Sequence, residues 1–148
     1  MADSEYQNVE AWHTSVRLAA AVGRLKVNSV IKASAEAHAH AFEQAGMACA
    51  LIAEGSGREG PSQVGLYRDA RGALAQCRAW LHVLAAVTNE SDALFGNELE
   101  LAEQATRQLG AMLRTIDRGP GAAGPRPPLR APGAPAPRPP GPPRGGQR

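Results

Sequence analysis

Along the first 118 positions, apolar residues recur at alternating intervals of three and four, the repeat of one face of an α-helix. Val9, Trp12, Val16, Ala19 and Gly23 form the first such stripe, on a helix running to about Lys26. Ser4 and Gln7 precede it at the spacing of a capping box, in which two side chains satisfy free amides reciprocally. Trp12 reads either as a core anchor or as a stacking platform for a base. After a turn at Asn28-Ser29, a second helix is expected from a cap at Ser34 to Glu54, with its stripe on Ala35, Ala39, Phe42, Gly46, Cys49 and Ala53. A third, Ser62 to Val87, carries Leu66, Ala70, Ala73, Cys77, Trp80, Leu84 and Val87, broadened by Leu74 and Leu81. Thr88 to Gly96 is a polar connection with Asn89, Ser91 and Asp92 as turn formers. Asn97 is placed to cap a fourth helix, with Ala102, Ala105, Leu109, Met112 and Ile116 as its apolar face and Gly119-Pro120 as its stop. Amphipathic helices joined by short connections predict an all-α fold, an antiparallel up-down-up-down four-helix bundle over residues 1–118.

The break between the second and third helices is the most structured motif in the chain: Ile52-Ala53-Glu54-Gly55-Ser56-Gly57-Arg58. Gly55 and Gly57 suit the left-handed backbone that ends a helix. Glu54 faces the negative end of the helix dipole and calls for a cation, which Arg58 or Arg71 can supply within the corner or across a subunit contact. The expected role of Glu54 is a structural ion pair; the plainer alternative is a glycine corner with an exposed carboxylate. Gly72, inside the third helix, costs about 1 kcal/mol against alanine, which a close helix crossing would explain. Arg68, Arg71 and Arg78 lie off the apolar stripe, as a solvated face or, for Arg71, as the partner of Glu54. Gly55-Ser56-Gly57 follows a helix and lacks the Gly-Lys-Ser/Thr ending of a phosphate loop.

This motif, followed by Ala70-Arg71-Gly72-Ala73-Leu74, resembles the family called four helix bundle protein, over roughly residues 12–116. That family includes proteins encoded in intervening sequences of large-subunit ribosomal RNA and is related to the accessory variability determinants of diversity-generating retroelements. The resemblance implies a bundle that assembles with itself, as a homopentamer, and a partner such as a reverse transcriptase with its RNA. It marks Ile52, Ala53, Glu54, Gly55, Gly57, Arg58, Arg71 and Gly72 as motif positions. The family's second helix carries a basic pair, then a proline and an asparagine. Here Phe42-Glu43, Cys49 and Leu51 stand in those places, which argues against a cationic face on this helix.

Charge divides the chain at residue 118. The first 118 residues hold 11 Lys/Arg against 14 Asp/Glu, a net of −3, whereas residues 119–148 hold five arginines and no acid, a net of +5. The basic pI of 8.8 therefore belongs to the tail. Eleven of the 12 prolines lie there with seven glycines, and Leu129 is the one large apolar residue. Such a composition cannot bury enough surface to offset the entropy of ordering, so residues 119–148 are expected to be disordered with polyproline II character. Arg126, Arg130, Arg138, Arg144 and Arg148 are candidate contacts to RNA or DNA, in a salt-dependent way. Pro125-Arg126-Pro127-Pro128 and Pro137-Arg138-Pro139-Pro140 also match the PxxP pattern of SH3 ligands.

Little else carries chemistry. Aromatic residues are 4% of the chain, a composition that suits closely packed helices better than strands. Cys49 and Cys77 read as small buried hydrophobes, without the spacing of a metal or redox site. His38 and His40 lie two apart, on different helix faces, where a zinc pair needs i,i+4 spacing. No paired-carboxylate site and no nucleophile signature is present, so no catalytic residue, cofactor or metal is expected. No apolar run approaches the ~20 residues that span a bilayer, and the acidic start lacks a signal-peptide pattern, so a cytoplasmic protein is expected. Two function classes follow. The first is a non-enzymatic, oligomeric scaffold or accessory protein; the second is an RNA-binding module that uses the arginine-rich tail.

Overall fold

A computed structural model describes residues 5–119. Over that span the chain is helical, with α1 at Glu10–Gly23, α2 at Lys32–Ser56, α3 at Gly60–Val87 and α4 at Gly96–Arg118. Short 3-10 turns, Glu5–Asn8 and Asp92–Phe95, lead into α1 and α4. The proposed capping box at Ser4 and the whole arginine-rich tail from Pro120 lie outside the described residues.

Local chemistry explains most boundaries. Gly60 takes φ +62°, and Pro61 fills the first turn of α3, where a missing amide costs nothing. Thr88 closes α3 by donating its hydroxyl to the carbonyl of Leu84 at 2.8 Å, and Asn89 follows at φ 55°. Ser91 accepts from the amide of Ala93 at 3.2 Å and starts the turn before α4. Gly119 ends α4 at φ +64°, as its pairing with Pro120 predicts. Two expected caps are displaced. Asn97 lies inside α4, which begins at Gly96 directly out of the 3-10 turn. Ser34 lies inside α2, fully buried, its hydroxyl without a hydrogen-bond partner among the described residues.

The helices pack as a ring of neighbours: α1 lies against α2 and α4, and α3 lies against α2 and α4. The α2–α3 contact is the most extensive. The core is built from Leu18 and Val22 of α1, Ala41, Ala45, Ala48 and Ile52 of α2, Leu74, Cys77 and Leu81 of α3, and Ala102, Ala105 and Leu109 of α4. Leu84, Ala85, Ala37 and Phe95 close one end.

The α3 and α4 stripes fall where the periodicity puts them, except that Val87 is exposed. That of α1 is rotated, with Val9, Trp12 and Ala19 only at the margin of the core, and that of α2 is displaced. On α1 the buried line is Ala11, Thr14, Ser15, Leu18 and Val22, while Val16 and Gly23 are exposed. On α2 it is Ala37, Ala41, Ala45, Ala48, Ile52 and Gly55, while Ala39, Phe42 and Gly46 face solvent. Small and apolar residues line more than one side of each helix, alanine above all on α2, so spacing alone admits two apolar faces. The core takes the one that brings the larger aliphatic side chains inside, Leu18 and Val22 on α1 and Ile52 on α2, with small residues between them.

Candidate interaction surface

The 52–58 corner is held by hydrogen bonds and close packing rather than by left-handed glycines. The amide of Gly57 donates to the carbonyl of Glu54 at 3.2 Å, and that of Arg58 to Gly55 at 3.1 Å. Gly57 itself sits at φ −89°, a conformation open to any residue. Gly55 is still helical and is buried, and its role is steric. A Cβ there would lie 2.7 Å from the Tyr67 ring and 3.3 Å from the Cβ of Leu66, both on α3. Gln63 completes the junction by donating its side-chain amide to the Gly55 carbonyl at 3.1 Å. Gln63 and Tyr67 are the structural partners that sequence reasoning missed. Tyr67 adjoins the expected stripe residue Leu66, and that adjacency was the available signal.

Of the remaining motif positions, Ile52 is fully buried and Ala53 half-buried. Glu54 pairs with Arg58 at 3.1 Å, one turn along the chain, with side chains 53% and 55% exposed. Solvent screening at that exposure holds the pair to under about 1 kcal/mol. Arg71, the other cation expected for Glu54, is exposed on α3 and forms no ion pair among the described residues. Nor does a close crossing account for Gly72, since a Cβ on it would meet nothing within 4 Å.

The titratable side chains are spread out. Burial pushes the Cys77 thiol up to about 12 and that of Cys49 up to about 11, so both stay protonated at neutral pH. The Tyr67 hydroxyl is also raised, chiefly by burial. The two α2 histidines turn to different neighbours: His38 Nε2 lies 2.6 Å from the Val22 carbonyl of α1, and His40 stacks on Trp80 of α3 at 4.4 Å. His82 reaches Asp92 at 3.1 Å, linking α3 to the turn before α4. No group of three or more His, Cys, Asp or Glu among the described residues is arranged to hold a metal ion. No helix among them is long and apolar enough to cross a membrane. Trp12 is half-buried against the core, its ring 4.9 Å from that of Tyr6.

The feature the sequence did not anticipate is the outer face of α1 and α2. Phe42 is 49% exposed, at the seam between the two helices, where its ring comes within 3.0 Å of a Cβ placed on Gly23. Ala39 and Gly46, one turn to either side on α2, and Val16 on α1 are exposed as well. A separate cleft of about 530 Å³ lies between the start of α1, the start of α3 and the second half of α4, lined by Val9, Tyr67, Met112 and Ile116 with the amides of Gln63 and Gln108. Comparisons of this chain with protein-family models, curated proteins and solved structures returned no match.

Proposed function

We propose that this protein is a non-enzymatic scaffold or accessory protein that works as a homo-oligomer. The observation that carries the reading is the second apolar face of α2. Its inner face fills the core, while its outer face leaves Phe42 half in water beside Ala39 and Gly46. An aromatic side chain amid small residues is the kind of anchor that interfaces bury. The up-down-up-down arrangement belongs to the same proposal. Its support is that Gly55 near the end of α2 meets Tyr67 near the start of α3, while His40, further back, meets Trp80, further on. For the accessory role, the partner class is nucleic-acid-handling machinery such as a reverse transcriptase, which the sequence resemblance supports.

The test is the mass of the purified full chain in solution. Light scattering at micromolar concentration should give a multiple of the 15.5 kDa chain mass, and a single-chain mass rejects the proposal. The multiple also decides between five copies and an even number.

A further inference from the structure

Two short stretches step in the same way from core to seam to solvent, by about 100° per residue. At the end of α1, Val22 is buried, Gly23 lies against Phe42, and Arg24, the C-cap residue whose backbone still has helical dihedrals, is exposed. On α2, Ala41 is buried, Phe42 lies against Gly23, and Glu43 is exposed. Because Gly23 and Phe42 touch, Arg24 and Glu43 stand at one level of the bundle. The common step turns Arg24 away from α2 and Glu43 away from α1, so they occupy opposite edges of one apolar face. Arg24 has no ion-pair partner among the described residues, and the contact of Glu43 is with His40 at 3.7 Å.

This face is complementary to itself. We infer that a second copy of this chain docks on the α1–α2 face about a two-fold axis running along the helices. Phe42 then meets Phe42 of the second copy at the axis, and Arg24 meets Glu43 of the second copy on each flank. The charges choose the axis. A two-fold perpendicular to the helices would set Glu43 against Glu43 and Arg24 against Arg24, a repulsive arrangement. With the axis along the helices, one complementary edge yields two ion pairs, as an isologous interface requires. Such a pairing gives an even number of copies, in place of the ring of five that the sequence resemblance implies. The inference rests on the oligomeric reading and names its interface.

Charge reversal tests it in the full chain, by sedimentation equilibrium on Arg24→Glu, Glu43→Arg and their equimolar mixture. Both side chains are exposed, and unchanged helical circular dichroism will confirm that the variants fold. Each variant alone places like charges at both contacts and should raise the dimer dissociation constant at least tenfold. The mixture should restore it to near the wild-type value, because a mixed pair has opposite charges at both contacts. Single variants that associate as tightly as wild type, or a mixture no tighter than its components, would overturn this interface while leaving self-association standing. A wild-type chain that stays a monomer removes the oligomeric reading and the interface with it.

Discussion

Gly55 and Gly72 show how one residue type does two different things in neighbouring helices. The first is buried where α2 crosses the start of α3, 2.7 Å from ring atoms if it carried a Cβ; the second is exposed with open space around it. Tyr67 is 2% exposed, and its rigid ring cannot withdraw without disturbing the junction that Gln63 ties. Gly55→Ala should therefore destabilise the fold by about 1–2 kcal/mol, the overpacking cost less the gain in helix propensity. Gly72→Ala should instead stabilise it by about 0.5–1 kcal/mol. Urea unfolding of the two variants decides the matter, and equal effects would mean the α2–α3 crossing is not where it is placed here. The motif around Gly55 was legible in the sequence as a corner. Its cause was not, because close approach to Tyr67 is a contact between residues 12 apart.

At the level of the helix, burial on α2 and α3 predicts a pH signature. Cys77 on α3 and Cys49 on α2 bind their protons more tightly when folded than the ordinary value of 9.0 allows, and Tyr67 does so relative to 10.0. The folded state then holds protons that the unfolded chain releases. The resulting stability is fully present below about pH 9 and is lost as pH rises toward 11 and 12, where the two thiols ionise in place. The urea midpoint should fall steadily above pH 9, and Cys77→Ala should flatten that fall even though it lowers the midpoint at neutral pH. An unchanged slope in the variant would show that Cys77 is not desolvated in solution. The expected stripe of α3 contained Cys77 because leucines flank it on one face, whereas α2 offered alanine on every side and no such contrast.

For the whole molecule, the division of charge matters more than its sum. Residues 1–118 carry a net of −3 and residues 119–148 a net of +5. We expect a chain lacking 119–148 to keep its helical signal and the solution mass state of the full chain, because the described core is drawn from residues between Ala11 and Leu113. Any RNA binding at low salt should fall sharply in the truncated chain, with a shallower dependence on salt, as arginine contacts to phosphate are removed. Filter binding of both chains to the same RNA across a salt series measures this. Undiminished binding by the truncated chain would place the contact on the bundle and reject the tail as the RNA contact.

That the chain forms helices, where α3 and α4 turn their apolar faces, and that α4 stops at Gly119 can all be read from the residues alone. Each of these follows from local signals: a three-four repeat with large side chains, a glycine before a proline, and polar turn formers between. Which face of α1 and α2 goes inside depends on how the four helices pack against one another. Small residues line both candidate faces of α2, so spacing does not choose between them; the face that goes inside is the one that buries Ile52 completely, with Ala41, Ala45 and Ala48 beside it. Phe42 was thereby turned outward and left at the seam with α1, between the charges of Arg24 and Glu43.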